Sequence, residues 1–144
     1  MLQVPTHCPS CQTKLILTPT GIDLVCPNSA ECPAQIINKL SYYCGRNLGN
    51  ITGLSQKILT KLTENFGVRD IADLYDLPYS EIIGLENFGK LSVENMINSI
   101  EKSREILDWK FLAGLGIETI GPEVAKLICE EFGNWLNLVY FVFD

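Results

Sequence analysis

The sequence predicts a mainly α protein: a small four-Cys zinc ribbon, residues 1–35, followed by an all-α domain, residues 36–144. Three observations predict this. Four of the six cysteines fall between positions 8 and 32. From Ile36 onward, apolar residues recur at helical spacing. Three segments of the helical part also repeat one pattern, a helix, a tight glycine-bearing turn and a second helix. At 47% hydrophobic and 19% charged, the chain has enough apolar residues for a real core and no mark of disorder.

In the first module, KLIL (14–17) and IDLVC (22–26) read as short strands joined by the turn residues Thr18-Pro19-Thr20-Gly21, and Pro33 closes the module. Cys8-x2-Cys11 and Cys26-x5-Cys32 are two pairs separated by fourteen residues. A tight CxxC turn lets two thiolates reach one ion, and the second pair arrives across the hairpin. The result is a closed, tetrahedral, structural zinc site. Two disulfides require an oxidising compartment, and a redox CxxC normally follows a strand in an α/β setting. Iron fits the same four ligands. His7 stands beside Cys8 with poor geometry for coordination. Four thiolates leave no open position, so the metal is structural and not catalytic.

The helices follow in order. Ile36, Ile37, Leu40, Tyr43 and Cys44 define one buried stripe, with Cys44 a small core hydrophobe like Cys129 later. After the link GRNLGN, which carries Arg46, a second helix holds Leu54, Ile58, Leu59 and Leu62 and ends near Gly67. Asp70 is expected to cap a short helix carrying Ile71 and Leu74, stopped by Pro78, and Ser80 another before Gly84. Val93, Met96, Ile97 and Ile100 mark the next helix, and Leu107 to Leu112 a further one. The last clear helix holds Val124, Leu127, Ile128 and Phe132 and stops at Gly133.

The repeated turns are Gly53-Leu54-Ser55, Asn87-Phe88-Gly89 and Thr119-Ile120-Gly121. Aligning Leu54, Phe88 and Ile120 gives offsets of 34 and 32 residues. A glycine-bearing turn that opens a helix exposes backbone N–H groups at the positive end of the helix dipole, an anion site. Gly or Asn there tolerates the left-handed conformation and lets a phosphate approach closely. The central apolar residue pins the turn to the core. Lys57 and Lys90 add charge just past two of the turns, whereas the third has Pro122-Glu123 and is expected to bind most weakly. Taken singly, each turn is ordinary punctuation; three in register are more than that. Helical solenoids that bind proteins share a 34-residue period, but glycine turns and short irregular helices suit them poorly.

The net charge is −6. Residues 1–63 hold five basic against two acidic residues, and residues 64–144 six against fifteen, so the two parts carry +3 and −9. That asymmetry is compatible with one face for nucleic acid and another for something else. No run of about 18 apolar residues occurs, which argues against a membrane span. With no signal-peptide pattern at its start, the chain is expected in the cytoplasm.

In this order, the four-Cys ribbon ending CPNSAECPAQ, SYYCGRNLGNITGLSQKILTKL, DIADLYDL, GLENFGKLSVENMINSIEKS and FLAGLGIETIGPEVAKLICEEFG resemble the C-terminal half of bacterial NAD-dependent DNA ligases. The resemblance runs from Cys8 to Gly133. It implies a zinc finger held by Cys8, Cys11, Cys26 and Cys32, then a helix-hairpin-helix domain that grips duplex DNA across the minor groove around a nick. The family's hairpins carry over to Gly53-Leu54-Ser55, Asn87-Phe88-Gly89 and Thr119-Ile120-Gly121. Ser55 and Asn87 stand where the family usually has Gly, and WLNLVYFVFD stands where a fourth hairpin is expected. The adenylating domain with its lysine nucleophile, which uses NAD, and the OB-fold domain have no counterpart in these 144 residues.

The expected function is therefore sequence-independent binding of duplex or nicked DNA, alongside the remaining ligase domains, with zinc as structural cofactor. By itself the chain is expected to be inactive as a ligase. The alternative reading is a zinc-stapled protein-interaction or DNA-binding accessory module. The apolar stretch Leu136–Phe143 calls for a partner or pairs between two copies.

Overall fold

The computed structural model describes residues 1–86 and 88–143, and of Trp135 the backbone only. Asn87, expected in the second turn, lies outside the described residues. Strands β1 (Ile16–Leu17) and β2 (Leu24–Val25) pair antiparallel, Ile16 opposite Val25 and Leu17 opposite Leu24. The turn between them is closed by Gly21 N–H donating to Thr18 O, with Gly21 at φ 70°. Among the described residues seven helices follow: α1 (Pro33–Tyr43), α2 (Gln56–Phe66), α3 (Tyr79–Ile83), α4 (Lys90–Ser103), α5 (Asp108–Gly114), α6 (Pro122–Phe132) and α7 (Trp135–Phe143). A 3-10 turn, Ala72–Tyr75, lies between α2 and α3.

The fold is thus mainly α, as predicted, with corrections of detail: Leu54, expected in the second helix, precedes its cap Ser55, and α7 adds a helix beyond the one read as the last. Pro33 does not close the ribbon but is the first residue of α1, where its missing N–H costs nothing. Asp70 does not cap the short helix after it. The Asp73 carboxylate instead accepts from the N–H groups of Arg69 and Asp70, at 2.9 and 3.0 Å. Ser80 lies inside α3, which has no side-chain cap.

The helices pack as consecutive pairs: α1 on α2, α3 on α4 and α5 on α6. The first two pairs share one apolar cluster, which includes Leu40, Tyr43, Leu59, Leu62, Leu74, Ile82, Val93, Met96 and Ile100. Cys44 is buried in it, whereas Cys129 is only partly covered and belongs to a smaller cluster of Leu48, Leu112, Ala113 and Ala125 under the third pair. Leu115 touches both clusters.

Helix α2 ends as the sequence predicts. Gly67 takes the left-handed conformation, φ 66°, and its N–H donates to Thr63 O. A Cβ there meets nothing within 4 Å, so Gly67→Ala introduces backbone strain without a clash. We expect it to cost about 1 kcal/mol, read as a lower urea midpoint at unchanged slope. An unchanged midpoint contradicts the assignment.

Candidate metal centre and anion-binding turns

The four predicted cysteines come together. Their Sγ atoms all lie within 4.8 Å of one another, with Cys8 and Cys32 at 3.9 Å and Cys11 and Cys26 at 3.5 Å. A tetrahedron of sulfurs around zinc at about 2.3 Å has edges of about 3.8 Å, close to the two S–S distances above, so small side-chain shifts would seat that ion. Backbone geometry sets this up. Cys8 N–H donates to Thr13 O and Gln12 N–H to Cys8 O, with Gln12 at φ 63°, so the CxxC segment turns back on itself. Cys26 follows β2, and a turn in which Cys32 N–H donates to Asn28 O carries the chain to Cys32.

Without metal the thiols are unequal. The side chain and backbone of Thr13 hold Cys11 down to about 6. Burial pushes Cys26 up to about 11, and the neighbouring thiols Cys11 and Cys8 add to the effect. A dication relieves the repulsion among ionised thiolates, and its binding releases protons. His7 stays outside the set, its Nδ1 2.9 Å from Thr6 Oγ1.

Cys32 belongs to the four-cysteine cluster and is also the N-cap residue of α1, its carbonyl accepting from Ile36 N–H. The ligand set therefore sits at the positive end of that helix, where negative sulfur is favoured. Two further bonds weld the ribbon to the helix: Ala34 N–H to Ser10 Oγ at 3.3 Å, and Gln35 Nε2 to Cys26 O at 3.0 Å. Arg69, from beyond α2, reaches Glu31 at 3.6 Å. This last pair is exposed and contributes little.

Each predicted turn lies between the two helices of its pair. In the first, Gly53 is left-handed, φ 84°, Leu54 is buried, and Ser55 caps α2 by accepting from Ile58 N–H. Thr52 Oγ1 lies 2.6 Å from Ser99 Oγ, which ties the turn to α4. In the second, Phe88 is buried and Gly89 opens α4 in an extended conformation with no side-chain cap. In the third, the left-handed residues are Gly116 and Thr119, φ 68° and 70°, while Gly121 is extended. Glycine's left-handed freedom is thus used in the first turn and not at Gly89 or Gly121. At those two a Cβ meets nothing within 4 Å, so the ground above the helix start is open.

Charge follows the same division. Arg46, Lys57 and Lys90 are exposed and, among the described residues, take part in no ion pair. Sequence reasoning missed Lys61. Its ammonium lies 5.4 Å from the centre of the Phe88 ring, so α2 adds a cation beside the second turn. The available signal was its place one helical turn after Lys57. At the third turn Ile120 is only half-buried, Pro122 offers no N–H, and Lys126 is engaged by Glu123 at 3.4 Å.

Comparison with known proteins gives two findings. Residues 7–34 match the family described as the NAD-dependent DNA ligase C4 zinc finger domain. Along 94% of its length the chain is similar to proteins named DNA ligase. It is 42% identical to that of Bacillus subtilis (strain 168) over 135 residues and 41% to that of Bacillus velezensis. A third, from Bacillus pumilus, is 41% identical over 131 residues. The chain spans 20% of the length of each of these relatives.

Proposed function

We propose that the chain serves as the sequence-independent DNA grip of an NAD-dependent DNA ligase, a reading supported by the match of residues 7–34 to that family's C4 zinc finger and by the similarity of 94% of the chain to proteins named DNA ligase. In this reading residues 1–35 are the zinc finger and the helical part is a helix-hairpin-helix domain. The first two hairpins hold backbone phosphates of duplex or nicked DNA. One observation carries the reading: two paired turns open helices with first N–H groups that lack intrahelical partners, those of Gln56 and Lys57 in α2, where Ser55 already takes Ile58 N–H, and those of the uncapped α4, beside Lys57, Lys61 and Lys90. Backbone donors and lysines hold phosphates without reading bases.

The third hairpin contributes least, because Pro122, Glu118 and Glu123 replace donors and cations there. Adenylyl transfer from NAD belongs to another part of the ligase. In this chain no residue is assigned to it, and the role here is binding and positioning at the nick, in replication and repair.

Titration of a labelled nicked duplex, followed by anisotropy, tests the reading. With about three phosphates neutralised, affinity should fall roughly 40-fold between 50 and 200 mM salt. Lys57→Glu together with Lys90→Glu should weaken binding by about tenfold or more and flatten the salt slope. Absence of binding at low salt overturns the proposal and favours a protein-interaction module. Covalent adenylation of the isolated chain by NAD overturns the assignment of that chemistry elsewhere.

A further inference from the structure

A cleft of about 220 Å3 lies between the end of α4 and the start of α5, beside the segment that leads into the first turn. Lys102 of α4 and Lys110 of α5 both line it, and Asn50, Ser99 and Glu105 are among its other polar residues. Among the described residues neither lysine takes part in an ion pair, and Glu105 pairs with neither. Lys110 is half-buried, its ammonium 5.6 Å from the centre of the Trp109 ring. An ammonium drawn partly out of water, with no carboxylate in contact, leaves a charge for a ligand to neutralise.

The cleft adjoins the first turn. Ser99 lines it, and the Ser99 Oγ lies 2.6 Å from Oγ1 of Thr52, the residue before Gly53. Gly53 packs on Met96, where an added Cβ would come 3.5 Å from Met96 Cβ. The segment from Asn50 to Gly53 therefore runs along α4, with Asn50 towards the Lys102 end. A helix rises about 1.5 Å per residue, which puts Lys102 about 9 Å beyond Met96. Each DNA strand carries a phosphate about every 3.4 Å of duplex axis, so a duplex held at Gly53 brings further phosphates within that span. The last carbonyls of α4 are not bare: those of Glu101, Lys102 and Ser103 accept from the N–H groups of Arg104, Glu105 and Ile106. Two ammonium groups on flexible stems act as point charges, which suit a phosphate and read no base.

We infer that Lys102 and Lys110 hold one further backbone phosphate of the duplex in this cleft, so that α5 joins the grip of the first two hairpins. The inference rests on the DNA-binding reading and adds a contact to it. In the anisotropy titration, four phosphates instead of three steepen the fall in affinity between 50 and 200 mM salt from roughly 40-fold to roughly 150-fold. Lys102→Gln with Lys110→Gln should restore the shallower fall and weaken binding by about fivefold at low salt, with far-UV circular dichroism unchanged. Glu105→Gln removes the opposing charge and should tighten binding by about two- to threefold, a gain that damage to the fold does not produce. Lys39→Gln, outside the cleft, should leave the salt slope as it is. Failure of the native chain to bind at low salt overturns the DNA reading and this inference together. Binding that Lys57→Glu with Lys90→Glu weakens, but that Lys102→Gln with Lys110→Gln leaves unchanged, overturns this inference alone. So does a loss of slope from Lys39→Gln equal to that from the cleft substitutions, or a weakening by Glu105→Gln.

Discussion

Removal of the metal should unfold residues 7–32 and leave the helical part folded. Each strand of the ribbon is two residues long, and Ile16, Leu17, Leu24 and Val25 are all exposed. Apart from Cys8 and Cys32, no residue of the module is buried. A two-stranded ribbon with no apolar face does not hold itself together in water. The free energy must come from sulfur–metal bonds, worth roughly 10–16 kcal/mol in isolated zinc modules. The helical clusters need no such help. We expect one zinc per chain by elemental analysis. Treatment with a strong chelator should collapse the amide signals of residues 7–32 and preserve those of the core around Leu59 and Met96. Cys32→Ser should do the same and leave the start of α1 intact, since Cys32 caps that helix only through its backbone carbonyl and serine is itself a good N-cap residue. Amide signals of the ribbon that survive with no bound metal would overturn this account, and iron in place of zinc would reassign the ion.

What was legible in the sequence was whatever local spacing determines. Two cysteine pairs at ligand spacing, three turn-opened helices and the stop at Gly67 are properties of short windows. The misses have a different origin. Asp70 and Ser80 are both good cap residues, and which carboxylate turned inward was decided by Asp73 meeting two N–H groups at once. Gly89 and Gly121 looked like left-handed positions, yet the extended conformation was enough, and Thr119 took the strained one instead. Lys61 became a site residue only because the second pair packs its Phe88 beside α2. The bond between Tyr43 and Tyr75 joins residues 32 apart, and nothing in a periodic pattern foretells it.

That bond leads to the second large effect. Tyr43→Ala should cost about 3–5 kcal/mol, a large share of the stability of a domain this size. Tyr43 is fully buried, packs edge-on to Phe111 with ring centres 6.4 Å apart, and belongs to the main cluster. Its hydroxyl heads a directed chain. The Ser103 proton goes to Ile100 O at 2.6 Å, so Tyr75 donates to Ser103 at 2.8 Å and Tyr43 to Tyr75 at 2.6 Å. Gly114 is built around the same ring, since a Cβ there would come within 2.6 Å of Tyr43 Cδ2, and Gly114→Ala must displace it. Tyr43→Phe keeps the packing and removes one bond, for a loss of about 1 kcal/mol.

Alkaline pH separates the two contributions. Burial, with Tyr75 beside it, raises the Tyr43 hydroxyl above its usual range, so it stays protonated when the unfolded tyrosine ionises. Stability tied to it is full below about pH 10 and falls as pH rises further, by up to about 1.4 kcal/mol per unit. Cys44, pushed up to about 12 by burial, adds a similar slope from about pH 9 in both proteins. Urea midpoints of native and Tyr43→Phe chains should therefore differ at neutral pH and converge above pH 10. Midpoints that fall in parallel would mean that the Tyr43 hydroxyl is open to water and that the chain of hydroxyls does not join α1 to the rest of the domain.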